Sequence, residues 1–153
     1  MSGSKEQVSV KLHHSEDLKF DVQVADRRIE LNSSKMMGQA FTPMELFLVA
    51  LAGCTAMDVQ WIMGRQRQKV SKFDMTVSGT RREEDPKYYQ RIDVNYSFVG
   101  TGLRKDAVER AIRLSQEKYC SVRAMVNSSV KLNITYSIAT DGKPEATYTY
   151  GAR

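Results

Sequence analysis

Apolar and polar residues alternate from Val8 to Leu12, and again at Leu18, Phe20, Val22 and Val24. A period of two marks a strand with one buried face. Asp26-Arg27-Arg28 supplies a turn, and Arg28 to Leu31 reads as a short third strand. The chain is therefore expected to open with a small antiparallel sheet, followed by a loop from Asn32 to Phe41. The pattern then changes. Thr42, Pro43 and Glu45 stand as N-cap, first and third positions of a helix, a capping box with a favourable proline. The helix is expected to run to about Arg67, with Gly64 as a bend or an early end. From Leu46 to Met57 it has no polar face. A helix apolar all round is buried all round, and one chain of this size has too little material to cover it. A second copy of the chain is expected to cover part of it.

Phe73, Met75 and Val77 alternate with polar residues, as do Ile92, Val94, Tyr96 and Phe98. These two strands are expected to form a hairpin across the loop Arg82 to Tyr88. Lys105 to Lys118 reads as an amphipathic helix with Val108, Ala111, Ile112 and Ser115 inward. Ser121 is expected to cap a short helix from Val122 to Asn127, and Val130 to Ile138 to form the last strand. The polar ends, 1–7 and 140–153, are expected to fray or to pack late. The order βββ-α-ββ-α-α-β in a single domain, 1–153, defines an α+β class with helices on a mostly antiparallel sheet.

Composition narrows the function. Lys plus Arg is 23 against 18 for Asp plus Glu, a formal charge of +5. The bases are scattered or stand beside acids, as in Arg81-Arg82-Glu83-Glu84-Asp85, which argues against a nucleic-acid partner. The first residues lack a leader's apolar core. The uncharged run Leu46 to Met57 falls short of the ~20 residues that span a bilayer. No membrane association and a cytoplasmic location are expected, where two cysteines are not a permanent staple. His13 and His14 point to opposite faces of a strand, so they form no paired metal site. No phosphate loop, Ser/His/Asp order or Cys-x-x-Cys is present, and no cofactor or metal is expected. The two thiols remain. Cys54 lies mid-helix among small and apolar residues, and Gly53 before it suggests close approach of another group. Cys120 stands at a helix boundary. A lone buried cysteine is most often a small hydrophobe rather than a reactive group.

The block Thr42-Pro43-Met44-Glu45-Leu46 with Ala52-Gly53-Cys54, and the block Ser115-Gln116-Glu117-Lys118-Tyr119-Cys120-Ser121-Val122, resemble the OsmC/Ohr family of organic hydroperoxide reductases. The Arg81-Arg82-Glu83-Glu84 loop is similar to the family's YhfA-like branch. The resemblance implies an intertwined homodimer with long helices buried at its centre. It also implies a thiol peroxidase: Cys54 is oxidised by an organic hydroperoxide to a sulfenic acid, Cys120 resolves it as a disulfide, and a dithiol, lipoyl-linked in some members, reduces that disulfide. A redox sensor or small-molecule binder without turnover is the alternative.

Thiolates, not thiols, attack peroxides, and an apolar setting opposes ionisation. In peroxidase members an arginine from the N-terminal region offsets this, held by a glutamate ten residues before the cysteine. That position here is Met44. Glu45, one residue later, lies about 180° from the face of Cys54 on an ideal helix and roughly 13.5 Å along it. It suits the capping box, and as an activating or orienting group it could reach only a thiol on a partner subunit. Arg27 and Arg28 lie in the right region for the activating arginine, where they also fit a turn with strand-edge charges. Arg123 is a local base that would favour a Cys120 thiolate, as would a short helix starting beside that thiol. Asp58, one turn after Cys54, fits either an orienting or a solvated role.

Overall fold

Residues 7–33 and 40–151 are described by a computed structural model, and they divide into two units, Met1–Phe47 and Leu48–Arg153. The first holds an antiparallel sheet in the order β1 (Lys11–Glu16), β2 (Lys19–Val24), β3 (Arg27–Asn32). The strand expected at Val8 begins at Lys11 instead, and Val8 and Val10 are exposed. Asp17 and Ala25 take positive φ values of 44° and 54° in the two tight turns. Lys19 on β2 bridges to Glu30 on β3 at 3.1 Å, across the sheet. Most of the loop expected from Asn32 to Phe41 lies outside the described residues. At its far end Phe41 forms a parallel bridge with Leu31.

Helix α1 runs Pro43–Arg65 and starts as its sequence requires. Glu45 Oε2 accepts from the Thr42 N–H at 2.8 Å and from Thr42 Oγ1 at 2.9 Å, and the Glu45 N–H donates back to Thr42 Oγ1 at 3.3 Å. The helix ends just after Gly64, and the chain leaves through Arg67 at φ 56°. Leu51, Thr55, Val59, Ile62 and Met63 are its buried stripe. Val49, Met57 and Trp61 are 54%, 75% and 60% exposed. Within one chain the helix is therefore buried on one face, not all round. By length and composition α1 could cross a bilayer, since a charge at Asp58 interrupts the uniform run without lowering mean hydropathy below 1.7. Its buried stripe belongs to the core of the second unit.

That unit is built on a sheet in the order β4 (Lys69–Arg81), β5 (Tyr89–Thr101), β6 (Lys131–Thr140), β7 (Ala146–Thr149). The β4–β5 hairpin forms as expected. β6 runs parallel to β5, because helix α2 (Lys105–Leu114) returns the chain to the same end of the sheet. Alternation places Ile92, Val94, Tyr96 and Phe98 inward, where Tyr136 and Ile138 of β6 and Val108, Ala111 and Ile112 of α2 complete the core. The C-terminal segment does not fray at once. β7 pairs with β6, Tyr148 stacks on Tyr136 at 5.1 Å, and Lys105 Nζ lies 4.5 Å from the Tyr148 ring.

Candidate redox site

The amphipathic helix expected from Lys105 to Lys118 changes character at Ser115. Ser115–Tyr119 forms a π-helical turn, closed by the Cys120 N–H donating to the Ser115 carbonyl at 3.0 Å. Such turns widen the helix and re-aim the residues that follow. Helix α3 (Ser121–Met125) then begins, and its cap is Cys120 rather than Ser121: the Arg123 N–H donates to Cys120 Sγ at 3.3 Å.

This placement brings the two sulfurs together. Cys54 Sγ, Cys120 Sγ and a carboxylate oxygen of Asp58 all lie within 4.8 Å of one another. Both cysteines are free thiols, Cys54 half-buried and Cys120 only 4% exposed. Gly53 has no crowded neighbour in this chain: nothing lies within 4 Å of where its Cβ would be.

Behind the sulfurs runs a buried hydroxyl chain that the sequence did not disclose. Ser115 Oγ donates to Asp58 Oδ2 at 3.0 Å. A hydroxyl has one proton to give, so Ser115 accepts from Thr55 Oγ1 at 2.8 Å. Thr55 in turn accepts from the Tyr96 hydroxyl at 2.8 Å. Gln116 Nε2 donates to both Thr55 Oγ1 and the Tyr96 hydroxyl, at 3.2 and 3.1 Å. The Asp58 carboxylate thus sets one direction for every proton in the chain. Among the described residues, Gln116 Oε1 is a buried acceptor with no partner. Tyr96 was legible only as an inward position, Ser115 as that and as part of the second resemblance block, Gln116 only as part of that block, and Thr55 carried no signal.

The electrostatics correct one expectation. Cys120 was expected to have a lowered pKa, from Arg123 and the helix it starts. Burial instead pushes its thiol up from 9.0 to about 11, the hydrogen bond to Cys54 adds to that, and the Arg123 N–H opposes it only partly. The contribution of Arg123 comes through its backbone. Burial likewise pushes Tyr96 up from 10.0 to about 12. A thiol whose folded pKa is raised adds stability below its unfolded pKa and loses it as pH rises through the folded value. Under reducing conditions, stability is therefore expected to fall from pH 9.0 upward, and Cys120→Ser to flatten the segment between 9.0 and 10.0, before Tyr96 contributes. Denaturation midpoints against pH measure this, and an unchanged slope in the variant would refute it.

Arg27, Arg28 and Glu45 belong to the first unit. Arg27 and Arg28 open β3, exposed, paired in register with Val24 and Gln23. Glu45 closes the capping box. His13 and His14 lie on the exposed strand β1.

The chain thus presents an α+β unit with one thiol on its long helix and a second directly after a π turn. The family model described as OsmC-like protein matches residues 36–135, and the chain belongs to that family. It is 38% identical over 100 residues to Protein YhfA of Escherichia coli strain K12, across 65% of this chain and 75% of that one. A hypothetical protein from Aquifex aeolicus VF5 superimposes with a TM-score of 0.80 at 34% identity, covering 89% of this chain and 98% of that one. A Legionella pneumophila structure described as an organic hydroperoxide resistance protein OsmC and predicted redox protein superimposes with a TM-score of 0.65 at 17% identity. The match covers 90% of this chain and 99% of that one, and it shows the shared fold. Family membership and the two neighbouring cysteines together suggest a redox function.

Proposed function

We propose that this chain is a two-cysteine thiol peroxidase for organic hydroperoxides. The observation that carries the reading is the approach of Cys54 and Cys120 to within 4.8 Å as free thiols. The Cys54 thiolate attacks the distal peroxide oxygen. The O–O bond breaks, the alkoxide leaves and takes a proton from solvent, and Cys54 becomes a sulfenic acid. Cys120 then attacks that sulfur, a disulfide forms and water leaves. A dithiol, possessing the two electrons required, restores both thiols and is itself oxidised to a disulfide. Met57 and Trp61 follow Cys54 by one and two turns as exposed apolar surface, which favours an organic substrate over hydrogen peroxide. The orphan Gln116 Oε1 is an acceptor for a hydroperoxide O–H. The guanidinium of Arg27 or Arg28 is the cation proposed to favour the Cys54 thiolate. The exposed residues Val49, Met57 and Trp61 of α1 are proposed to meet a second copy in a homodimer, with Met57 and Trp61 walling the substrate pocket at that seam. The chain acts as one OsmC-like domain in a reducing cytoplasm.

Treating the reduced protein with one equivalent of cumene hydroperoxide is expected to remove both thiols, with an intramolecular disulfide by intact mass. Failure to react with this or a fatty-acid hydroperoxide would refute the reading. A second reading, a redox sensor without turnover, draws on Asp58 and Met44. A carboxylate beside the sulfurs opposes thiolate formation, and Met44 stands where the peroxidase glutamate would be. Formation of the disulfide with no sustained turnover on added dithiol would favour it.

A further inference from the structure

Cys54, Asp58 and Cys120 offer two sulfurs and an oxygen to one point, and that donor set has a use besides redox chemistry. We propose that the three side chains form a binding site for a thiophilic divalent cation of the zinc class. This inference goes beyond the peroxidase reading and does not rest on it, since it requires the thiols to be reduced but requires no peroxide.

The geometry comes from two elements. Cys54 and Asp58 are four residues apart on α1, so they share one helix face. Cys120 is fixed by the π turn before it and the cap hydrogen bond after it. The three donor atoms lie within 4.8 Å of one another. Zinc takes sulfur at about 2.3 Å and carboxylate oxygen at about 2.0–2.2 Å, which sets tetrahedral ligands roughly 3.5–3.8 Å apart. The donors therefore need to close by no more than about 1.3 Å, within reach of side-chain rotation.

The outer contacts fit the same role. Metal-bound carboxylates and thiolates are held by further hydrogen bonds. Asp58 Oδ2 already accepts from Ser115 at 3.0 Å, leaving Oδ1 for an ion, and Ser115 is held by Thr55. Cys120 Sγ accepts from the Arg123 N–H at 3.3 Å. Two sulfurs select zinc, cadmium or cobalt over magnesium and calcium. On binding, both thiols release their protons to solvent, and two thiolates with one carboxylate face a divalent charge, a net charge of −1. Three protein ligands leave a fourth position for water. A bound ion would occupy both sulfurs and protect them from oxidation.

Cobalt(II) is the probe. Titrating the full reduced chain anaerobically is expected to saturate at one Co²⁺ per chain. Thiolate-to-cobalt charge-transfer absorption and the visible bands of four-coordinate cobalt should appear, and one equivalent of Zn²⁺ should abolish both. Cys54→Ser and Cys120→Ser should each lose charge-transfer intensity. Asp58→Asn should weaken binding at least about 10–100-fold, and Ser115→Ala should weaken it toward the lower end of that range. Absence of the charge-transfer band in the fully reduced wild-type chain overturns the proposal without recourse to any variant. So does a band that persists unchanged without either cysteine, or binding indifferent to Asp58→Asn. The readout is independent of hydroperoxide consumption, so failure of the peroxidase reading leaves it intact.

Discussion

Cys54→Ser is expected to abolish hydroperoxide consumption, a loss of roughly 10³-fold or more, because a serine hydroxyl is not ionised at neutral pH and lacks the nucleophilicity of a thiolate. Cys120→Ser is expected to fail differently. Its first turnover should survive, leaving Cys54 with one added oxygen by intact mass, since no second thiol is present to expel water. Further peroxide should then carry that sulfur up to the irreversible acids. The asymmetry follows from the site. Cys54 is the half-buried thiol that a substrate can reach, whereas Cys120 is 4% exposed, held as a helix cap, and keeps its proton up to about 11. A buried protonated thiol is a poor first nucleophile, but it lies within 4.8 Å of Cys54, and its proton can pass to the sulfenic hydroxyl that departs as water when the disulfide closes. Single-turnover peroxide consumption by the two variants decides the roles. Retained consumption in Cys54→Ser with loss in Cys120→Ser would reverse them, and equal loss in both would mean that neither thiol works alone.

The architecture was legible where periodicity and capping chemistry act locally. Ile92, Val94, Tyr96 and Phe98 alternate because one face of β5 is buried, and all four are 2% exposed or less. Thr42 and Glu45 announce the start of α1 because the two side chains satisfy each other's backbone N–H groups. β7 left a weaker signal. Gly142 and Pro144 suggested a tail, yet Thr147, Tyr148 and Thr149 have high strand propensity. The approach of the two cysteines could not be read from spacing at all. It depends on a π turn that adds a residue between Ser115 and Cys120, and one hydrogen bond in a different register moves the cap from Ser121 to Cys120. Their pairing came from family resemblance. The Tyr96–Thr55–Ser115–Asp58 chain was hidden for a related reason. Each member has an ordinary place on its own element, and only tertiary packing makes them neighbours.

Gly100→Ala is expected to cost roughly 3–5 kcal/mol, a large fraction of the about 5–15 kcal/mol that stabilises a typical domain. Gly100 ends the parallel ladder of β5 with β6, opposite Thr140, and faces Val70 on β4. A methyl group there would collide with the backbone carbonyl oxygen of Lys69, while the Lys69 carbonyl carbon stands 3.0 Å away and Leu103 Cγ 3.1 Å. A flexible side chain can swing aside, but Lys69 is the first residue of β4 and its backbone moves only if the strand end moves with it. Gly79, in the same hairpin, makes the contrast. Its added Cβ would meet the Tyr89 ring at 2.5 Å, and a ring at the strand start can tilt away at lower cost. Gly64→Ala sets the baseline, because nothing lies within 4 Å of its Cβ position and, in the last turn of α1, alanine gains at most about 1 kcal/mol over glycine. Urea midpoints should therefore rank Gly64→Ala above wild type, Gly79→Ala below it, and Gly100→Ala lowest. A Gly100→Ala midpoint equal to wild type would mean that β4 and β5 do not approach as closely at this end as the structure has them. The same loss should reach the thiols, because Tyr96 lies on β5 and holds Thr55 beside Cys54, so Gly100→Ala is also expected to expose Cys120 to alkylation below its unfolding midpoint.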